Sequence, residues 1–506
     1  MASSNIDPHA VRAWARHLGV APETVDPATL RAELAAGTIP GTLADAAQRS
    51  TAGVTVDAER RTYAELHDSV TRAATALLHA GTQRGTHVAI SAPTSMRFVI
   101  AYLAALHAGA TVVLANPAYT ASELDALLVR SGARLLLTDA TEASPVETRS
   151  LAELVDAGHD PHPGAELHST DVALLAYTSG TTGTPKGVPL THGMLLASVR
   201  AAMRAWRWNP DDTLVHALPM YHQHGLSGLH ASVLAGSNLT VRAKFDPHDL
   251  IATVERERAS VVFAVPSIHQ RLAALEAHEL RPLGRLRLIT SGSAPLSAAV
   301  ADDLYAKAGL RPLERYGLTE SGLDVSNVYE EPSIGTVGVP LPGVEVELRA
   351  PDGSPAESEG EIVLRGPQIF DGYLDNASAT ADAFWPGGWF RTGDLGRWDD
   401  AGRLAITGRL KELIITGGMN VAPQEVEAVV ESCPGVGEAA VAGVPSERWG
   451  EEVTAWVVSD GLDESTVVAH CRDRLAAYKC PKRVIFVDAL PRNAMGKIVR
   501  SELSAT

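Results

Sequence analysis

Helical and strand-like apolar patterns alternate between about residues 60 and 140, and this alternation restricts the fold class. Helical spacing covers Tyr63–His79, Ser95–Gly109 and Ser122–Ser131. Short apolar runs of strand length separate and follow these helices, and they begin at His87, Ala110 and Ala133. This rhythm is typical of βαβ units around a buried, largely parallel sheet. We therefore predict an α/β fold, and strand-like runs at 260–265 and 285–290 extend it.

The pattern changes twice toward the C-terminus. Between about residues 335 and 406, runs such as 344–349 and 360–365 alternate with period two and are separated by Gly, Pro and Asp, which predicts antiparallel strands. After Gly408–Lys411 the spacing predicts helices over 423–432 and 465–477 and strands over 436–443, 452–458 and 484–487. We predict an N-terminal domain over 1–408, with two βαβ-type sheet subdomains and a β-rich subdomain. A small, mobile α+β domain is predicted over 409–506.

Length, charge and cysteine usage exclude several classes of protein. A chain of 506 residues is too long for one core. A formal net charge of −17 argues against nucleic acid as a partner. No apolar run of about 18 residues predicts a membrane span, and the N-terminus lacks a signal-peptide pattern. Only three cysteines occur, without a C-x-x-C pair, so we expect a cytoplasmic protein without disulfides or a zinc cluster.

The segment from Tyr177 to Gly187 combines serine, threonine and glycine with a single lysine, Lys186. Glycine lets the backbone approach an anion closely, and free N–H groups and hydroxyls then donate to phosphate oxygens. The spacing differs from that of a Walker loop. We interpret the segment as a polyphosphate-binding loop; the alternative is an ordinary polar surface turn.

Three further segments carry candidate functional residues, each with a simpler alternative. In Glu314–Glu320 an aromatic ring, a hydroxyl and a carboxylate could meet a base, a phosphate and Mg²⁺, or could form a plain surface turn. Asp394, after a glycine, could accept from ribose hydroxyls or form an Asx turn. Lys497, after Gly496, could swing into a site of the other domain or be an exposed tail lysine.

Taken together, these motifs occur in the order and with the spacing of the adenylate-forming superfamily, and the chain resembles that family from about residue 40 to its end. Further segments, at 116–120, 218–225, 291–296 and 416–421, resemble acyl-CoA synthetases. Within these, the malonyl-CoA synthetase group is the most similar. That likeness rests on His222 and His224, Lys244, Arg271, the Glu314 motif, Ser326–Asn327 and the segment from Val484.

The resemblance implies an AMP-forming acid–CoA ligase, a family that uses ATP, Mg²⁺ and coenzyme A. Such an enzyme adenylates a carboxylate with release of pyrophosphate, and then transfers the acyl group to CoA with release of AMP. The resemblance implies catalytic roles for Lys497, Glu320, Thr319 and His222, with Glu320 as the metal ligand. The residues implied in ATP and AMP binding are Thr178, Ser179, Gly180, Thr181, Thr182, Gly183, Lys186, Ser293, Ala294, Glu314, Tyr316, Gly317, Asp394 and Arg409.

The acyl and CoA sites are implied in the same way. The substrate pocket would contain His222, Arg271, Ser291, Leu323 and Asp324. The pantetheine and nucleotide of CoA would meet Gly417, Gly418, Trp449, Tyr478 and Lys479, and Lys411 falls at the hinge position. Arg271 would pair with the distal carboxylate of a malonate-like acid in a dry pocket, or else lie on the surface. Asp324 departs from the malonate pattern: it could recognise an amino group or point away. His222 and His224 could gate the pocket, or bind a metal from a strand.

Other functions stay open at this point. The chain could be an adenylating enzyme that passes an activated carboxylate or nitrite to an amine without CoA. It could also be a non-catalytic binding module on the same fold, although the intact set of Lys186, Glu320, Asp394 and Lys497 argues against that. The acid itself, fatty, aryl, dicarboxylic or nitrous, is not fixed by these patterns, and neither is the oligomeric state.

Overall fold

The structure is a computed structural model that describes residues 6–140, 144–156, 158–178, 185–416, 419–446, 448–459, 461–492 and 497–503. The α-helices are Pro8–Leu18, Pro27–Leu34, Ile39–Arg49, Tyr63–His79, Met96–His107, Ala121–Ser131, Leu151–Asp156, His192–Ala205, Gln223–Ala235, Pro247–Arg256, Pro266–Ala273, Ala298–Ala308, Ala377–Asp382, Pro423–Glu431 and Glu464–Arg472. Short 3₁₀ helices are Pro22–Thr24, Arg281–Arg285, Leu410–Glu412 and Arg500–Glu502.

The first sheet confirms the predicted βαβ rhythm. Its strands, in spatial order, are Glu147–Arg149, Leu135–Leu137, His87–Ser91, Thr111–Ala115, Val172–Thr178 and Lys186–Thr191. All neighbours pair in parallel except the last two strands, which form an antiparallel hairpin. The helices begin where the sequence indicates. Thr62 and Thr120 cap Tyr63–His79 and Ala121–Ser131 with capping boxes, each satisfying backbone N–H groups of the first turn.

The second sheet contains the other predicted parallel strands. Its strands, in spatial order, are Val339–Pro340, Val325–Ser326, Leu313–Tyr316, Leu288–Ser291, Val261–Ala264, Thr213–His216, Asn238–Val241, Gly53–Val56 and Glu59–Thr62. The strand predicted over 285–290 starts later than expected, at Leu288. The reason is local: Pro282 lies in the first turn of the 3₁₀ helix Arg281–Arg285, which continues up to Arg285.

The third sheet is the predicted antiparallel β-rich part. Its strands are Glu345–Arg349, Glu359–Arg365, Trp389–Trp398 and Phe384–Trp385, with Leu404–Arg409 also paired to Trp389–Trp398. The N-terminal helices pack on this region: the Trp14 indole is fully buried and donates to the Val344 carbonyl at 2.7 Å, and Arg31 pairs with Glu345 at 2.7 Å. Residues before 40 therefore brace the third sheet.

The C-terminal part has its own sheet and core. Its strands are Met419–Val421, Ile414–Thr416, Gly450–Ser459, Val436–Ser446 and Arg483–Phe486. A hydrophobic cluster between Ile414 and Val484 is separate from the large cluster that ends at Leu404. The helix predicted over 465–477 ends earlier, at Arg472. Among the residues described, no helix has both the length and the apolarity to cross a membrane.

Candidate active site

Four neighbouring parallel strands of the second sheet end at one edge of the molecule. These are Thr213–His216, Val261–Ala264, Leu288–Ser291 and Leu313–Tyr316. The segments that follow them carry His222, Ser293 and Glu320. In open α/β sheets the carboxyl ends of parallel strands form the usual ligand-binding crevice, so the sheet itself brings these side chains together.

The first sheet contributes the hairpin of the predicted phosphate loop. Thr178 and Lys186 pair at the base of this hairpin. The Lys186 ammonium lies 4.6 Å from the centroid of the Tyr373 ring, and the Tyr373 hydroxyl donates to Glu320 Oε1 at 3.0 Å. Five predicted loop residues, Ser179, Gly180, Thr181, Thr182 and Gly183, lie outside the described residues. Tyr373 is therefore in contact with both a lysine, over its ring, and a carboxylate, at its hydroxyl.

Glu320 is buried, with 8% of its surface exposed. Burial raises the pKa of its carboxyl, while the hydrogen bond from Tyr373 and the charge of Lys186 oppose that rise. Thr319 beside it is half-buried. A buried carboxylate next to a cation is suited to a second positive charge, since the additional cation would offset the cost of burial.

The third sheet adds an aromatic–acid–arginine cluster. Asp394 and Arg409 are paired residues on adjacent strands, and Arg409 Nε lies 2.7 Å from Asp394 Oδ1. The Tyr316 hydroxyl donates to Asp394 Oδ2 at 2.6 Å. Asp394 is almost fully buried, and its charge, together with burial, raises the pKa of the Tyr316 hydroxyl. Three residues distant in sequence thus form one polar cluster at the sheet edge.

Lys497 reaches this cluster from the C-terminal part. Burial lowers the pKa of Lys497, and the nearby charges of Arg409 and Arg315 lower it further while that of Asp394 raises it. The segment is anchored three residues later: Arg500 pairs with Glu412 at 3.0 Å and with Glu427 at 2.8 Å. The lysine therefore lies in the cleft, held by an arginine that ties the tail to the junction between the two parts.

The backbone around the cleft is tightly fitted at two points. A Cβ on Gly317 would stand 1.9 Å from the Gly322 carbonyl, so this turn accommodates only glycine. Ser293 adopts φ of +72°, the left-handed region that non-glycine residues rarely occupy. Such conformations persist only where the surroundings impose them and are concentrated at functional sites. Ala294 beside it is exposed.

Glu314 is buried beneath the loops that surround the cleft and hydrogen-bonds to their backbone. Its Oε1 accepts from the Gly335 N–H at 2.8 Å, and burial raises the pKa of its carboxyl to about 7. Because the side chain is 6% exposed, we read Glu314 as a brace for the loops at 296 and 335. The contact with the nucleotide that the resemblance implies for Glu314 stays a prediction.

The two predicted histidines lie at the start of the helix Gln223–Ala235, where His222 is the N-cap, and not on a strand. Burial, with the charge of Lys497 as the next cause, lowers the pKa of His222 to about 4, so its imidazole is neutral near pH 7. His222 Nε2 is buried without a hydrogen-bond partner among the described residues. The described residues contain no group of three or more His, Cys, Asp or Glu side chains that could hold a metal ion.

The predicted acyl-pocket residues are not all placed together. Ser291 ends its strand with a buried hydroxyl that lacks a partner in the described structure, and the Leu323 N–H donates to Ser198 Oγ at 2.8 Å. Arg271 is exposed, and its guanidinium lies 4.6 Å from the centroid of the Phe245 ring. Arg271 is therefore not enclosed in this structure, and its pairing with a distal carboxylate stays a prediction.

Asp324 is fully buried. Its carboxyl accepts from Ser321 Oγ at 2.5 Å and from Gln368 Nε2 at 3.3 Å. Burial raises its pKa to about 7. Asp324 is therefore held by Ser321 and Gln368 in the interior, and its place in the substrate pocket stays a prediction.

Replacing Asp324 by asparagine should raise stability at alkaline pH. The folded pKa, about 7, exceeds the unfolded value of 3.8, so the unfolded state ionises first as the pH rises. The contribution of the Asp324 carboxyl to the free energy of unfolding is therefore fully present below about pH 4. It decreases as the pH rises and is lost by about pH 7. Asp324→Asn should gain on the order of 2 kcal/mol at pH 8 and little at pH 4.5, measured by urea unfolding. An equal gain or loss at both pH values would contradict this account; Asp302→Asn on an exposed helix is the control.

The residues implied in CoA binding lie on the C-terminal part. Trp449 is 37% exposed, and the guanidinium carbon of Arg448 lies 4.8 Å from the centroid of its ring. Lys479 pairs with Glu425 at 2.6 Å and lies beside the half-buried Tyr478. Gly417 and Gly418 lie outside the described residues. Lys411 occupies the short 3₁₀ helix Leu410–Glu412 that joins the two parts.

Sequence reasoning missed two residues of the cleft. Tyr373 connects Lys186 to Glu320, and Arg315 donates to His224 Nε2. Arg315 was visible only as a neighbour of Tyr316. Strand alternation could have placed its side chain on the face opposite to that of Tyr316. Tyr373 follows the third sheet's second strand, with no motif around it.

Family models and known proteins agree with this geometry. A family model described as AMP-binding enzyme matches residues 43–374, and one described as AMP-binding enzyme C-terminal domain matches residues 425–497. A feruloyl-CoA synthase of an Amycolatopsis species is 37% identical over 437 residues, with 83% of this chain and 88% of the relative covered. An oxalate–CoA ligase of Arabidopsis thaliana is 37% identical over 452 residues, with 82% and 87% covered.

Solved structures add the arrangement of the two parts. ATP-bound MatB from Rhodopseudomonas palustris is 35% identical, with a TM-score of 0.87 over 92% of this chain and 98% of that chain. The apo form of the same protein, at the same coverage, has a TM-score of 0.78. The overall similarity of this chain is therefore greater to the ATP-bound form than to the apo form.

Proposed function

Because this chain belongs to the AMP-binding enzyme family, we propose that it joins a short dicarboxylic acid to coenzyme A through an acyl adenylate. The general activity is that of an ATP-dependent, AMP-forming acid–CoA ligase. It follows from CoA-ligase relatives that match this chain over most of their own length. The acid and the roles of individual residues are the proposed part. The observation that carries the adenylation step is the convergence of Lys186, Glu320, Asp394 and Lys497 on one cleft. The likeness to an oxalate–CoA ligase supports a dicarboxylic acid as the substrate.

The cleft suits the first half-reaction because each group faces a different part of the reactants. Asp394 offers carboxylate oxygens to the ribose hydroxyls, with Arg409 and Tyr316 holding it in place. Lys497 would lie between the carboxylate of the acid and the α-phosphate. A carboxylate and a phosphate repel each other, so a placed ammonium that neutralises both lowers the barrier electrostatically.

Glu320 fits the role of a magnesium ligand. Mg²⁺ usually takes one or two protein carboxylates and completes its shell with substrate phosphates and water. Glu320 offers one buried carboxylate near Lys186, and the described residues supply no second carboxylate cluster that could hold the ion alone. A bound magnesium ion would supply charge neutralisation of the phosphates.

The second half-reaction requires the cleft to open. Lys497 fills the space beside His222, where a thiol would have to approach the acyl group. We infer a boundary at 408/409, supported by separate hydrophobic clusters on either side, and rotation of residues 409–506 about the segment at Lys411. Rotation would withdraw Lys497 from the cleft and turn the exposed Trp449 toward it. The pantetheine of CoA could then enter the cleft beside Trp449.

A panel of acids tests the proposed function. The enzyme is incubated with ATP and Mg²⁺ plus oxalate, malonate, methylmalonate, succinate, short fatty acids, ferulate or nitrite, with and without CoA. Pyrophosphate, AMP and acyl-CoA are then measured. The proposal expects AMP formation that requires both a dicarboxylic acid and CoA. Turnover with nitrite and an arylamine, or no turnover with any acid, would contradict it.

A further inference from the structure

A hydrogen bond joins the two parts of the chain outside the segment that connects them. Gln270, on the helix Pro266–Ala273 of the N-terminal part, donates from Nε2 to Glu438 Oε1 at 2.8 Å. Glu438 lies on the strand Val436–Ser446 of the C-terminal part. Because the donor and the acceptor belong to different parts, this bond exists only while the C-terminal part keeps its present position on the N-terminal part.

A β-bulge lies directly before Glu438. Val436 pairs with Ser459 on the adjacent strand. The next pair is Glu438 with Val458, so Gly437 is an extra residue on its strand. A bulge bends its strand and changes the direction of the side chains beside it. The contact borders an open crevice of about 450 Å³ between the two parts. It can therefore break and form again without disturbing a packed apolar core.

Glu438 also binds the base of the segment that carries Lys497. Its Oε2 accepts from Arg492 Nη2 at 2.9 Å, so one carboxylate binds a residue of each part. The backbone of Arg492 pairs with that of Ile498, the residue that follows Lys497. One ion pair and one backbone bridge thus connect Glu438 to the neighbour of the proposed catalytic lysine.

We propose that Glu438 is a positioning residue for adenylation. While it is bound to Gln270, it holds the Lys497 segment at the cleft, and this bond breaks before thiolysis. The inference rests on the proposed function and adds to it a contact outside the cleft that sets the share of enzyme ready for adenylation. A contact made in only one of two arrangements shifts the equilibrium toward that arrangement by its own free energy. For a hydrogen bond to a charged group, the shift is about 10-fold.

The test removes the bond between the parts and keeps the ion pair within the C-terminal part. Gln270→Met has nearly the same length but cannot donate, and Glu438 keeps its pair with Arg492. Single-turnover rates are measured with saturating ATP and the acid that the wild type uses best. Adenylation should slow by a factor between about 3 and about 10, the upper value being the full effect of the hydrogen bond. Thiolysis of a prepared acyl adenylate should be unchanged or faster, because the arrangement with Lys497 in the cleft is less populated.

A second variant shows whether Gln270 acts through Glu438. Glu438→Ala should slow adenylation more than Gln270→Met does, since it also removes the partner of Arg492. In the Glu438→Ala background, Gln270→Met should have no further effect on adenylation, because its acceptor is already absent. A residue that only supports the fold of the helix Pro266–Ala273 would still slow the reaction in that background.

Gln83→Met is the matched control, since it makes the same substitution at an exposed glutamine of the N-terminal part. It should leave both half-reactions at the wild-type rates. Thermal unfolding midpoints show whether each variant folds. If Glu438→Ala does not fold, Gln270→Met alone still has to slow adenylation and spare thiolysis.

Three results would overturn the inference. Gln270→Met could slow both half-reactions equally, it could slow neither of them, or its effect could add in full to that of Glu438→Ala. In each case the wild type still forms the acyl adenylate and acyl-CoA. Failure of the proposed function is different, because the wild type itself would then form no acyl adenylate with any acid.

Discussion

Lys497→Ala should lower the rate of adenylation about 1000-fold, because the ammonium is the group that neutralises the acid carboxylate and the α-phosphate as they meet. Thiolysis of a chemically prepared acyl adenylate should change by less than about 10-fold, since that step takes place after Lys497 has left the cleft. Single-turnover measurements of each half-reaction give the two rates separately. The matched control is Lys482→Ala, which removes an exposed lysine of the C-terminal part whose ammonium donates to the Ala477 carbonyl at 2.8 Å.

The pH dependence of adenylation gives an independent check on Lys497. Burial, and then the charge of Arg409, lowers the pKa of Lys497. The Lys497 side chain therefore loses its proton at a lower pH than an ordinary lysine does. As the pH is raised, the adenylation rate should begin to fall at a pH below the usual pKa of lysine. Lys497→Ala should lack this alkaline limb. Equal loss of both half-reactions in the variant, with an unchanged pH profile, would contradict the assigned role.

Asp394→Ala should have the second largest effect, and it should appear in both nucleotide affinity and stability. The carboxylate is the proposed acceptor for two ribose hydroxyls, and loss of two charge-assisted hydrogen bonds should raise the Kd for ATP by at least about 100-fold. The variant would also leave Arg409 without its ion pair and the Tyr316 hydroxyl without its acceptor. Loss of the acceptor of the buried Tyr316 hydroxyl should cost about 2 kcal/mol of stability. The ion pair with Arg409, whose side chain is 46% exposed, should add less than about 1 kcal/mol.

Isothermal titration with ATP and urea unfolding measure the two effects of Asp394→Ala. Asp303→Ala is the control, because it removes an exposed acid whose pairing with Lys307 on one helix is worth less than about 1 kcal/mol. A variant with the ATP affinity of the wild type would show that Asp394 serves the fold and not the nucleotide.

Much of the fold followed from residue patterns with local causes. The helix Tyr63–His79 has helical apolar spacing and a Thr62–Glu65 capping box, so its bounds could be predicted to the residue. The third sheet's antiparallel strands were predicted from their period-two runs, although Ile362, Val363 and Leu364 are all fully buried in the strand Glu359–Arg365. Less could be predicted where local preference was weak, as at the C-terminal end of the helix Glu464–Arg472, which has no glycine or proline to mark it.

The site was predictable only in its motif-bearing parts. Tyr316, Asp394, Arg409 and Lys497 lie in segments with unusual composition, and the structure brings them into one cleft. Side-chain direction could not be predicted. Asp324 turns inward and Arg271 outward, since each direction depends on packing between segments far apart in sequence. For the same reason Arg315 became visible only when Gly292 and His224 were seen beside it.

The central claim is that one cleft forms an acyl adenylate and then transfers the acyl group to CoA. A quenched single-turnover reaction with ATP labelled at the α-phosphate, the preferred dicarboxylic acid and no CoA tests it most directly. The account predicts one equivalent of labelled acyl adenylate per enzyme, converted entirely to labelled AMP and acyl-CoA when CoA is added. Labelled ADP as product, or an adenylate that CoA does not consume, would contradict it.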